Sequence, residues 1–165
     1  MKYNPKKHNR KSIRLKGYDY SQAGLYFVTI VCQDRTHLFG KIQDQEMHLN
    51  EAGEMVNFWY DKLEDKFPNV HCQEMIVMPN HFHCIIELTG KEKIPLSQVI
   101  QWFKTMTTNA YIRGVKNSGW QAFNNRVWQR NYYEHIIRNE RAYHQISTYI
   151  RNNPAKWGTD KFGRS

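Results

Sequence analysis

The run VHCQEMIVMPNHFHCIIEL, residues 70–88, constrains the fold more than any other part of the chain. Two stretches rich in β-branched and apolar residues are separated by Pro-Asn alone, which reads as two strands joined by a turn. Side chains two apart on a strand share a face. His81 and His83 therefore project together, while Phe82 and Cys84 turn to the opposite side. The sheet containing this hairpin has one side suited to burial under helices and another that carries a pair of imidazoles.

The remaining sequence supplies those helices. LYFVTIVC (25–32) is β-branched and aromatic and reads as a strand between Gly24 and the polar QDRT. Asn50 is placed to cap a helix running to Asp65, with Ala52, Met55, Val56, Trp59 and Leu63 at helical spacing and FPN at its end. After KEKIP, Leu96, Val99, Ile100, Phe103, Met106 and Ala110 mark the apolar stripe of a second helix. GVKNSGWQAFNN reads as a Gly/Asn-rich loop and VWQRNYYEHIIR as a fourth strand; Asn139 then caps a last helix that Pro154 closes. The order is β-α-β-β-α-β plus a C-terminal helix. That is an α+β, ferredoxin-like split βαβ plan with an antiparallel sheet. A chain of 165 residues suits one domain, 1–165, and neither an internal repeat nor a low-complexity tract interrupts it.

Composition narrows the setting. Three scattered cysteines form no CxxC pair, so neither a disulfide framework nor a zinc finger is expected, and a reducing cytoplasm fits. The apolar runs are too short to span a bilayer, so no membrane partner is expected. The charge points elsewhere. Lys and Arg number 24 against 15 acids, for a net charge of +9. Seven Lys or Arg and no acid fall in the first 18 residues, making residues 1–20 a basic arm in which Lys6, Lys7, Arg10, Lys11 and Arg14 are candidate phosphate contacts. A second basic group, Arg126, Arg130, Arg138, Arg141 and Arg151, is interleaved with Trp128, Tyr132, Tyr133 and Tyr143. Charge mixed with aromatics suits a phosphate backbone with stacked, unpaired bases.

The histidine pair makes a natural set of metal ligands or phosphate contacts. Alone it is a weak signal, and a purely structural pair explains it equally well. The last helix offers it a partner. Tyr149 and Asn153 are four apart and so neighbours on the helix surface. Their ordinary roles are core filling and helix capping. A carboxamide oxygen is also a hard ligand for Mg²⁺ or Mn²⁺, and a phenol beside a metal-held phosphate can act as a nucleophile. His135 either contacts nucleic acid or is a satisfied group within the sheet. Lys104 and Arg113 reach nucleic acid from the second helix or lie on a solvated face.

In this order, GYDYSQAGLYFVTI, VMPNHFHCII, WQRNYYEHIIRNE and YIRNNPAKW resemble the single-tyrosine HUH transposases, most of all the REP-associated tyrosine transposases. The resemblance covers nearly the whole chain. It implies a ferredoxin-like fold with the histidines on a central strand and the tyrosine on a C-terminal helix. It further implies that His81 and His83 match the metal-binding pair, that Tyr149, opening YIRNNP, matches the nucleophile, and that Asn153 matches the third metal-side ligand. The implied activity is Mg²⁺- or Mn²⁺-dependent nicking and joining of single-stranded DNA that carries a hairpin, through a 5′-phosphotyrosine. Arg130, Tyr133, His135 and Arg138, in or beside WQRNYYEHIIRNE, become candidate DNA contacts together with Lys104. Cys84 stands where many relatives have glycine, on the face turned away from the histidines. Relatives include monomers and dimers that exchange catalytic helices, so a homodimer stays open. Two other readings are a DNA-binding protein without catalysis and a ferredoxin-like RNA-binding module; the absence of an RNP-type GFGFV signature weighs against the latter.

Overall fold

The structure, a computed structural model, describes residues 23–90 and 92–159. Lys6, Lys7, Arg10, Lys11 and Arg14 of the basic arm lie outside the described residues. Among the described residues, six strands and four α-helices follow one another as β1 (Gly24–Val31), β2 (Gly40–Gln43), β3 (Glu46–Leu49), α1 (Glu51–Asp61), α2 (Leu63–Lys66), β4 (Val70–Met78), β5 (His81–Leu88), α3 (Leu96–Ser118), β6 (Tyr133–Ile137) and α4 (Glu140–Asn152). The main sheet is antiparallel in the order β4-β5-β1-β6. This is the expected α+β, split βαβ arrangement with a helix added after the last strand.

Alternation along the strands sorts residues into two layers. Tyr26, Val28 and Ile30 of β1 and Phe82, Cys84 and Ile86 of β5 are fully buried in one core with Val56 and Tyr60 of α1 and Val99, Ile100 and Phe103 of α3. Phe82 meets the rings of Tyr60 and Phe103 at centroid distances of 5.4 and 5.2 Å. Burying side chains of this size stabilises the fold by roughly 1.5–3 kcal/mol each. The opposite layer is thinner. Ile85 and Ile137 pack against Ile150 of α4, with Phe27, Ile76 and Ile146 partly covered around them. Both faces of β5 are thus closed, though by very different amounts of protein.

Local chemistry explains the boundaries. Asn50 caps α1, its side-chain oxygen accepting from Gly53 N at 2.9 Å, and Asn139 caps α4 by accepting from Ala142 N at 2.8 Å. The β4–β5 hairpin turns on Pro79 and Asn80, with Met78 opposite His81. A bulge between Cys72 and Met75 lets both residues face the α1–α3 core despite their odd spacing.

Four expectations need correction. The segment between β1 and α1 holds a second hairpin, β2–β3, which strand periodicity did not reveal. The helix expected from Asn50 to Asp65 breaks at Lys62 into α1 and α2. The supposed loop 114–125 begins inside α3, which continues to Ser118 and ends on Gly119 in the left-handed conformation, φ 69°. Gly114 lies against the Trp120 indole, where a Cβ would be 2.1 Å from a ring carbon, so close packing accounts for that glycine. The fourth strand is correspondingly shorter than VWQRNYYEHIIR. Trp128 makes only an isolated bridge to Cys32, and continuous pairing starts at Tyr133.

Candidate functional site

His81 and His83 lie side by side on β5, with ring centroids 4.6 Å apart at 72°. Both are buried, beneath the last helix and the segment after it. Neighbours hold each ring. Thr29 lies opposite His83 in the β1–β5 register, and its Oγ1 is 2.7 Å from His83 Nδ1. His81 Nδ1 is 2.7 Å from the side-chain oxygen of Asn80, the turn residue just before it. Asn80 in turn donates its amide N–H to Arg35 O at 3.4 Å, which aims its oxygen at the imidazole. His81 Nδ1 is therefore the donor, and in the neutral ring Nε2 is left as the acceptor. That Nε2 faces Asn153 Oδ1 at 3.4 Å. Two acceptors facing each other at this distance repel unless a cation or a proton is shared nearby.

The last helix brings in the other groups. Ile150, fully buried, anchors α4 to the sheet, so Asn153, one turn from Tyr149, is carried inward and is itself buried. Tyr149 stays 38% exposed, yet its ring centroid is 5.4 Å from that of His83 and 6.1 Å from that of Phe27. Tyr149 and His83 border a cleft of about 420 Å³ that is also lined by Phe27, Thr29, Tyr133 and His135. Beyond the helix, the Trp157 ring lies parallel to His81 at 6.2 Å and edge-on to His37 at 5.5 Å.

The structure brings together five of the residues singled out from the sequence: His81, His83, Tyr149, Asn153 and His135. Tyr133 joins them, 40% exposed at the cleft, while Tyr132 is buried in the α1–α3 core. Tyr143 packs in the thin layer, its hydroxyl 3.5 Å from Gln73 Oε1. Arg130 and Lys104 lie elsewhere, on a groove beside α3, and Lys104 Nζ donates to the carbonyls of Gln129 and Arg130 at 2.7 and 2.9 Å. Arg138 follows β6 and is half-buried. Sequence reasoning missed Thr29, Asn80 and Trp157. The first is legible only once the β1–β5 register is known.

The donor set suits a hard divalent ion. Two imidazoles and a carboxamide oxygen meet on one side of the sheet, and the rings are oriented from behind by Thr29 and Asn80, as ligating histidines usually are. Among the described residues no group of three His, Cys, Asp or Glu side chains gathers, so the carboxamide matters. Competing nucleophiles are suppressed. Burial pushes the thiols of Cys32 and Cys84 well above their usual value and that of Cys72 up to about 12, and it raises the Tyr60 phenol as well.

A ferredoxin-like sheet with paired histidines beneath a C-terminal tyrosine helix defines a class of DNA-processing proteins, and comparison with known proteins places the chain within it. The family profile described as "Transposase IS200 like" matches residues 25–153, and the chain belongs to that family. An uncharacterised Haemophilus influenzae protein is 43% identical, covering 97% of this chain and 96% of its own length. The REP-associated tyrosine transposase of Escherichia coli K12 is 31% identical over 83 residues, half of this chain and 43% of that protein. Among solved structures, a REP-associated tyrosine transposase bound to a REP hairpin superposes with a TM-score of 0.65 at 25% identity, covering 92% of this chain and 77% of the other. No helix among the described residues is long and apolar enough to cross a membrane.

Proposed function

We propose that the protein is a divalent-metal-dependent strand transferase that nicks and rejoins single-stranded DNA beside a hairpin, in the cytoplasm, with Tyr149 as nucleophile. The observation that carries this reading is the edge-on contact of the Tyr149 ring with His83, at 5.4 Å between centroids, on the border of a cleft. His81, His83 and Asn153 would hold Mg²⁺ or Mn²⁺. The ion's contribution is to draw electron density from the scissile phosphate and offset charge as the transition state forms.

The chain's own groups do the rest. Thr29 and Asn80 fix the imidazoles, so the ligand set is organised before DNA arrives. Tyr149, on the rim of the cleft, is accessible to a phosphate yet held in register by the buried Ile150 beside it. Its Oη forms the new phosphorus–oxygen bond as the bond to the 3′ oxygen breaks. The phenolic proton is balanced by the 3′-hydroxyl released. One phosphodiester replaces another, so the step is reversible and needs no nucleotide cofactor. Tyr133 and Phe27 give the cleft stacking surfaces for an unpaired base, with His135 beside them. Likeness to a transposase bound to a REP hairpin supports hairpin DNA as the partner.

The test incubates wild-type protein and Tyr149→Phe with end-labelled hairpin oligonucleotides and Mn²⁺. A covalent protein–DNA band is expected from the wild type and not from the variant. The same band from both would rule out Tyr149 as the nucleophile.

A further inference from the structure

A third imidazole lies on the histidine side of the sheet, set apart from the pair by the width of β1. In the β1–β6 register His135 is opposite Phe27 and Tyr133 opposite Thr29, while Thr29 also faces His83 across the β1–β5 register. By alternation His83, Phe27, Thr29, Tyr133 and His135 share one face. His83 and His135 therefore flank β1 on its two sides, about 9–10 Å apart across the sheet as two inter-strand spacings. The Tyr149 ring meets the strand between them at Phe27, edge-on at 6.1 Å between centroids. Tyr149 reaches the cleft from α4, with Gln145 and Ile146, and His135 reaches it from β6. A phosphate held there has the phenol on one wall and this imidazole on another.

That division bears on the chemistry. In-line displacement puts the attacking and leaving oxygens on opposite sides of phosphorus. A sugar hydroxyl is a much weaker acid than a phenol, so the 3′ oxygen is the poorer leaving group of the two. Attack by a tyrosine is unproductive unless a proton or a cation meets that oxygen as its bond to phosphorus breaks. Among the described residues, the titratable groups bordering the cleft with His135 are Tyr133 and Glu134 on its own strand, His83 on β5 and Tyr149 on α4; β1 adds Phe27 and Thr29, which do not titrate. Imidazole is the side chain in this set that ordinarily changes charge near neutral pH. His83 is committed to Thr29 and, in the proposed function, to the metal ion, which leaves His135.

We propose that His135 is a second catalytic residue: as imidazolium it gives its proton to the 3′ oxygen while the bond from phosphorus to that oxygen breaks, and as neutral imidazole it takes the proton back when the 3′-hydroxyl attacks the phosphotyrosine. The phenolic proton passes to water in the forward step, and the imidazole is recharged from water. The inference rests on the reading of the protein as a tyrosine strand transferase. Its test measures single-turnover adduct formation with Mn²⁺ on two hairpin oligonucleotides. One is natural; the other carries sulfur in place of the 3′ oxygen at the cleavage position mapped on the first. A thiolate departs without a proton. His135→Gln and His135→Asn, which keep an amide N–H but release no proton, are expected to slow the natural substrate by about 10²–10⁴-fold and to leave the sulfur substrate at the wild-type rate. Without metal, their affinity for the natural oligonucleotide, read by fluorescence anisotropy, should match that of the wild type. Equal slowing on both substrates, or weaker metal-free binding, would reassign His135 to holding DNA and overturn the proposal. An unchanged rate on the natural substrate would overturn it too, because the ion alone would then serve the 3′ oxygen. A wild type that forms no adduct with either substrate would sink the strand-transferase reading itself, and the inference with it.

Discussion

The two faces of the central sheet differ in what covers them. On one, Tyr26, Val28, Ile30, Phe82, Cys84 and Ile86 are sealed under α1 and α3. On the other, Phe27, Thr29, His81 and His83 share the protection of α4 and the segment after it, with Ile85, Ile137 and Ile150 as the small apolar cluster beneath the helix. Both sets alternate along the same strands. The first face holds the molecule together; the second is kept thin enough for a buried imidazole to remain one ring away from an exposed phenol. Burial therefore means different things at neighbouring positions of β5: packing at Phe82, and exclusion of water around a polar constellation at His83.

Adjacent substitutions offer the sharpest way to break this contrast. Phe82→Ala removes a fully buried ring and is expected to cost about 3–5 kcal/mol in stability, read from the denaturant midpoint. His83→Ala is expected to cost about 1–2 kcal/mol, because one buried hydrogen bond is removed. Its Mn²⁺ affinity, followed by calorimetry, should fall more than about 100-fold, beyond the range for loss of a supporting group. Equal stability losses from the two variants would mean that the faces are not functionally distinct.

One step back from the ligands, Thr29→Val keeps the shape of a buried side chain but removes the hydroxyl at His83 Nδ1. Metal affinity is expected to drop about 10–100-fold with the sheet intact. Unchanged affinity would show that the register fixes the ring without Thr29. A smaller effect is expected at the start of α4. Asn139→Ala deletes the cap that holds the helix carrying Tyr149 and should cost about 1 kcal/mol. Hydrogen exchange should increase in α4 and not in α3, since only α4 belongs to the thin layer.

The same asymmetry explains which parts were legible in the sequence. β4, the Pro-Asn turn and β5 could be read residue by residue, because long apolar runs on both sides of a turn allow one register. The β2–β3 hairpin was invisible. Its strands have four residues each, and Asp44 and Gln45 adopt positive φ values of 54° and 63° without the glycine or asparagine that usually marks such a turn. α3 was read too short because Gly114 looks like a loop residue until the Trp120 ring is seen against it. In the site, the HFH pattern and the Tyr149–Asn153 spacing identified residues that the fold does bring together. Thr29 and Trp157 were not legible, since one depends on cross-strand register and the other on how the chain turns after Pro154.

Alkaline pH provides the gentlest test, through the thiols of the sealed face. Cys32 and Cys84 lie in the α1–α3 core and Cys72 packs against it, and in each burial raises the thiol above its ordinary value near 9. Above pH 9 the unfolded chain releases these protons while the native state keeps them. The native state then binds more protons, and stability falls as pH rises. At pH 9 the expected loss is a few tenths of a kcal/mol for each of Cys32 and Cys84, and less for the more solvated Cys72. Denaturant midpoints at pH 7.5, 9.0 and 9.5 measure it, and ultraviolet absorbance should show no native thiolate from Cys32 or Cys84 across that range. Thiolate absorbance at pH 9 in the folded protein would mean that water reaches the sealed face, and the contrast between the two sides of the sheet would then be gone.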